Sequence, residues 1–153
     1  MDINFTVEQQ RFNHRAAAVI VKEGHLLIHR NVRDDFWALP GGRIQLMEYG
    51  EQAIVREIEE ELGKTARVKR FLSAQENFFE YDGIQFHEVA FFYGVELMTP
   101  EELTLEPFHG IEGEQFIYQY VPIDRLQSVK LYPVQLTEMI QSGEWSGLFS
   151  NEG

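Results

Sequence analysis

Residues 42–63 read G-R-I-Q-L-M-E-Y-G-E-Q-A-I-V-R-E-I-E-E-E-L-G. From residue 51 onward the apolar side chains Ile54, Ile58 and Leu62 return every fourth position, and Gly63 follows where a helix C-cap favours glycine. The spacing predicts one amphipathic helix over residues 51–62. At about 100° per residue, Glu57 and Glu61 stand one turn apart with Glu60 beside them, so three carboxylates share a narrow arc. Like charges this close repel unless something neutralises them. A hard divalent cation is the natural neutraliser, because Mg²⁺ takes oxygen ligands, keeps several waters and relies on a few carboxylates together with substrate phosphates. The arc points to chemistry on a phosphate compound.

Working outward, residues 15–21 (R-A-A-A-V-I-V) and 25–30 (H-L-L-I-H-R) are short apolar runs around Lys22, Glu23 and Gly24, which reads as a β-hairpin. Polar residues 31–35 follow, then F-W-A-L-P-G-G, whose Pro40, Gly41 and Gly42 mark a sharp bend before the loop that carries Glu48. Beyond the helix, residues 65–77 and 83–97 are rich in aromatic and β-branched side chains and form a second expected hairpin through Tyr81, Asp82 and Gly83. A Glu-, Pro- and Gly-bearing loop over residues 98–113 leads to a strand over 115–121. The turn V-P-I-D-R-L then precedes a second helix in P-V-Q-L-T-E-M-I-Q-S-G, with Pro133 in its first turn and Gly143 near its end. Residues 144–153 are expected to be loose. Strands flanked by two helices give an α/β class, and the length suits one domain over residues 1–153.

Composition narrows the partners. At 44% hydrophobic and 25% charged residues the chain is globular, and no apolar run approaches the roughly 20 residues needed to span a bilayer. The start, M-D-I-N-F-T-V-E-Q-Q, lacks the basic and apolar segments of a signal peptide, so cytoplasm is the simplest address. With no cysteine there is no disulfide framework, thiolate site or cysteine nucleophile. A net charge of −12 argues against a long nucleic acid as partner and leaves a small anionic molecule, met locally by a cation and by arginines such as Arg30, Arg33, Arg43 and Arg56. No membrane partner is expected, and a homodimer is left open. His14, His25, His29, His87 and His109 show no H-E-x-x-H spacing, and neither a G-x-S-x-G elbow nor a G-x-x-x-x-G-K-[ST] loop is present.

The segment from Gly42 resembles the Nudix box, G-x5-E-x7-R-E-U-x-E-E-x-G-U with U aliphatic, matching eight of its nine positions at Gly42, Glu48, Arg56, Glu57, Ile58, Glu60, Glu61 and Gly63. Lys64 stands where the last aliphatic is expected. W-A-L-P-G-G before the box and Y-V-P-I-D-R-L after it resemble the same family. The resemblance implies an α/β/α sandwich with a mixed sheet between helices. It implies a hydrolase that cuts a pyrophosphate bond in a nucleoside diphosphate-linked or related small molecule. It further implies Mg²⁺, with Mn²⁺ as a substitute, held by Glu57, Glu60, Glu61 and the main-chain carbonyl of Gly41. Glu48 and Arg56 are implied to pair and brace the loop against the helix. The general base stays open among Glu57, Glu60 and the loop acids Glu112 and Glu114, with Glu114 preferred. Arg43, Trp37 and Tyr81 are candidate substrate contacts; Trp37 and Phe78 are read as core. The other reading is a non-catalytic nucleotide-sensing module on the same fold.

Overall fold

The structure, a computed structural model, describes residues 1–99, 102–142 and 145. Its organising element is β2 (Gln10–Val19). The run R-A-A-A-V-I-V is apolar at consecutive positions, and a strand so composed is stable only where both faces are covered. Accordingly Ala16, Ala18 and Ile20 enter one apolar cluster while Ala17, Val19 and Val21 enter another. β1 (Asn4–Val7) and β5 (Gly41–Arg43) pair antiparallel with β2. β7 (Ile84–Leu97) runs parallel to β2, and β6 (Ala66–Tyr81) lies antiparallel beside β7 as the edge strand. This is the expected mixed sheet.

A second, antiparallel sheet is built in the order β3 (Val21–Lys22), β4 (His25–Asn31), β9 (Phe116–Pro122) and β8 (Phe108–His109). The expected first hairpin is thereby corrected. Only Val21 and Lys22 fold back on β4, because residues 15–19, apolar on both faces, are drawn into the centre of the larger sheet. The second expected hairpin forms with its turn at Asp82 and Gly83.

Helix α1 (Gly50–Leu62) ends at Gly63, which takes the left-handed conformation (φ 69°) and closes the helix through its N–H to the Glu59 carbonyl. Its buried residues Ala53, Ile54, Ile58 and Leu62 pack on one side of β2 with Leu27, Tyr118 and Tyr120. A 3-10 turn (Ile123–Ser128) and the short helix α2 (Gln135–Gln141) cover the other side, where Leu126, Leu136 and Ile140 meet Ala17, Val19 and Ile28. Gly143 lies outside the described residues. So does the tail over 144–153 apart from Trp145, which is buried against Phe92 with ring centroids 6.3 Å apart. Among the described residues no helix is long and apolar enough to cross a membrane.

Candidate active site

The loop from β5 to α1 is held by one arginine. Arg56 donates from Nε to Glu48 Oε2 at 2.8 Å and from Nη2 to Glu48 Oε1 at 2.9 Å, a bidentate contact. Its Nη2 also reaches the Arg43 carbonyl at 3.1 Å, and Glu48 Oε1 accepts from the Gln45 N–H at 3.0 Å. Hydrogen bonding to Arg56 holds the Glu48 carboxyl below its usual range. The third nitrogen, Nη1, donates to Glu57 Oε1 at 2.8 Å and lies 3.4 Å from Glu60 Oε2. One guanidinium thus ties loop, strand β5 and helix together.

The three helix carboxylates do not share one environment, because a 100° step between neighbours is enough to cross from solvent to core. Glu60 is exposed; Glu57 is half-buried; Glu61 is 7% exposed. Burial pushes Glu61 up to about 8, with Arg15 opposing and Glu57 and Glu112 adding to the rise. Burial likewise raises Glu57, against the pull of Arg56. Glu57 has its space because Gly42 has no side chain: a Cβ there would strike the Glu57 carboxylate.

Glu61 opens onto a cavity of about 700 Å³ whose wall also includes Arg15, His29, Gly41, Phe116 and Tyr132. Its floor is one face of the larger sheet, left open by the small side chains Ala17 and Ala90. Glu61 Oε2 is buried and has no hydrogen-bond partner among the described residues. His29 Nδ1 is 3.9 Å from Glu61 Oε1, but burial pushes His29 down to about 3, so at neutral pH this is a neutral imidazole beside a carboxyl group rather than an ion pair. Arg15 donates to the Leu39 carbonyl at 2.8 Å and is the arginine that lines the cavity. Sequence reading overlooked Arg15. Its signal was available, since a strand with Ala17 and Val19 on one face must place residue 15 on that face too.

Among the described residues, no three acidic or histidine side chains converge into a cage for a metal ion. Two carboxylates one turn apart, one of them carrying a buried unpaired oxygen, do fit a hard cation that takes its remaining ligands from water and substrate oxygens. Gly41 lines the same cavity as Glu61, and its backbone works against the rise of the Glu61 carboxyl.

Glu112 and Glu114 are both exposed on the loop before β9, and the charge of Glu112 adds to the rise of Glu61 and of Tyr118. Trp37 packs on the core with the Arg30 guanidinium over its ring at 5.3 Å and does not line the cavity. Tyr81 does line it, but its hydroxyl accepts from Arg33 at 2.8 Å and donates to Asp34 at 3.0 Å, latching the β4–β5 loop to the β6–β7 turn. Phe78, read as core, is corrected: it is 71% exposed at the cavity rim, because it lies on edge strand β6 beyond the cover of either helix. The side chain of Arg43 is half-buried on β5 beside Arg15.

A family model described as NUDIX domain matches residues 12–141. Among solved structures, a UDP-X diphosphatase is 25% identical with a TM-score of 0.63; the match covers 88% of this chain and 63% of that one, so the chain spans less than two thirds of its length. A MutT NUDIX hydrolase from Burkholderia pseudomallei is 27% identical with a TM-score of 0.53, over 74% of this chain and 84% of that one. A MutT protein from Methanosarcina mazei Go1, 20% identical with a TM-score of 0.60 over 93% and 99% of the two chains, shares the fold. No curated protein matches the sequence.

Proposed function

The chain belongs to the Nudix domain family, and from that premise we propose that it hydrolyses a phosphoric anhydride in a nucleoside diphosphate-linked or related small molecule. The proposed cofactor is Mg²⁺, with Mn²⁺ as a substitute. The observation that carries this reading is Glu61: a buried carboxyl group with an unpaired oxygen, one turn from Glu57, at the wall of a cavity large enough for a nucleotide. Burying such a group costs stability, which a purely structural helix has no reason to bear.

A bound divalent cation supplies charge neutralisation at the anhydride and acidifies water. Glu57 and Glu61 are the residues to hold it, with the Gly41 carbonyl as a further ligand and Glu60 assisting from the exposed side. Arg15 meets phosphate charge at the same end of the cavity. In the reaction a water oxygen forms a bond to phosphorus, the bridging P–O bond breaks, and the water proton passes to a carboxylate. The acceptor of that proton is to be sought among Glu57, Glu60 and the loop acids Glu112 and Glu114, with Glu114 the preferred candidate. Glu48 and Arg56 keep the Gly42 loop seated against α1 and act on catalysis through Glu57.

The test is a panel of nucleoside triphosphates, nucleotide sugars and dinucleotides incubated with Mg²⁺ or Mn²⁺, with products identified. Glu57→Gln and Glu61→Gln should each cost on the order of 10³-fold in rate while the fold is kept. Folded variants that hydrolyse the best substrate at the parent rate would show the cation assignment to be wrong. If no anhydride is cut but one binds tightly, the chain is a nucleotide sensor.

A further inference from the structure

At the far end of the cavity the sheet floor carries three polar side chains in one row. Register sets Asn13 of β2 opposite Glu88 of β7, and Glu88 opposite Asn77 of β6. Asn13 and Asn77 are 4% and 8% exposed. Directly opposite residues on one face stand about 5 Å apart, so the three heads are neighbours. Asn13 Nδ2 donates to Glu88 Oε1 at 2.8 Å, and Gln135 Nε2 donates to Asn77 Oδ1 at 3.0 Å. These two bonds fix the row and leave a defined remainder. Asn77 Nδ2 is buried without an acceptor, and the half-buried Glu88 accepts from Asn13 through one of its two oxygens. Buried amide N–H groups are rarely left unpaired, and both Asn77 and Glu88 line the cavity.

An N–H donor beside a carboxylate is the complement of a carbonyl beside N–H groups. That is the lactam edge of a nucleobase. Guanine places one carbonyl and two N–H-bearing nitrogens in line, enough to engage the amide and both carboxylate oxygens. Adenine and cytosine set a bare ring nitrogen beside a single amino group and leave part of the carboxylate unmatched. Phosphate suits this point of the cavity less well than the neighbouring row, because the Glu88 carboxylate lines it and repels anions, whereas Arg15 stands one row along the sheet. Phe36 and Tyr132 border the same cavity with aromatic rings on which a base would stack.

We propose that Asn77 and Glu88 read the base of the substrate and select guanine, with Asn13 as a positioning residue for the Glu88 carboxylate. The inference rests on the anhydride-hydrolase reading only for the chemistry at the opposite end. Its test measures kcat/KM for matched guanosine, adenosine and cytidine diphosphate compounds with Mg²⁺. In parallel, guanosine and adenosine monophosphates are titrated against the full chain, so that base preference is read without catalysis. Guanosine compounds should be favoured by about 10–100-fold in both assays. Glu88→Gln, and independently Asn77→Ala with melting followed to confirm folding, should bring the ratio to within about threefold of unity. A parent that treats guanosine and adenosine alike in both assays overturns the assignment, as does a folded Glu88→Gln that keeps the parent ratio. Tighter guanosine monophosphate binding without any anhydride cleavage would leave the base-reading row standing and remove the hydrolase reading. Cleavage without base preference would do the reverse.

Discussion

The two ends of the cavity are built in opposite ways. At the carboxylate end, Glu48, Arg56, Glu57 and Glu61 come from 14 consecutive positions of one loop and one helix, tied by the Arg56 guanidinium. At the polar end, Asn13, Asn77 and Glu88 come from three strands, and the bond between Asn13 and Glu88 spans 75 residues. Local geometry sets the first. Sheet register sets the second, so the helix end should fail by losing chemistry and the sheet end by losing discrimination.

The sharpest way to break this contrast is Arg56→Ala. It removes the bidentate contact to Glu48 and the contact to Glu57 at once, and is expected to lower kcat by about 10–100-fold and stability by roughly 2 kcal/mol, with the preference among bases unchanged. Steady-state kinetics on two nucleotides and a urea titration check it; a changed base ratio would mean that the two ends are coupled. Gly42→Ala should act on the same end more narrowly. The added Cβ displaces the Glu57 carboxylate, so kcat is expected to fall by about tenfold with little change in melting temperature.

A third test uses pH on the metal-free protein. Glu61 has its folded pKa raised to about 8 from a usual 4.5, so its contribution to stability is fully present below about 4.5 and is lost as pH rises through 8. Urea unfolding at pH 5 and pH 9 should show the parent losing up to a few kcal/mol of stability relative to Glu61→Gln across the same window, the titrations of His29 and Glu57 being common to both. Equal pH slopes for the two proteins would sink the assignment of a buried, reluctant carboxylate. The smallest effect is expected at the rim, where Tyr132→Ala should raise KM by about fivefold and leave kcat alone, as loss of one stacking face would. A fall in kcat instead would place Tyr132 in the chemistry.

The same contrast explains what could be read from sequence. Helix α1, its Gly63 cap and the Glu48–Arg56 spacing are short-range patterns, and residues 51–62 differ from the observed Gly50–Leu62 by one position. The Asp82–Gly83 turn was equally local. What was missed depends on partners distant in the chain. β1 is only four residues long and the first five residues of β2 carry a single apolar side chain, Phe12, so they are strands because β7 and β2 offer them backbone partners. Arg15 and Glu88 line one cavity because β2 and β7 run parallel, a pairing that no spacing along the chain announces.

The parallel pairing of β2 with β7 also sets an order of events in time. The backbone bonds of helix α1 close between neighbours in sequence, so the spacing of its glutamates is set locally even though its stability comes from packing on β2. The strand that faces Glu88 toward Asn13 must instead find a partner 75 residues away, across the helix and the whole of β6. Long-range closure of this kind is slow relative to helix formation. The two carboxylates are therefore spaced by one segment of chain, whereas the row of Asn13, Glu88 and Asn77 is completed only when three distant strands have met.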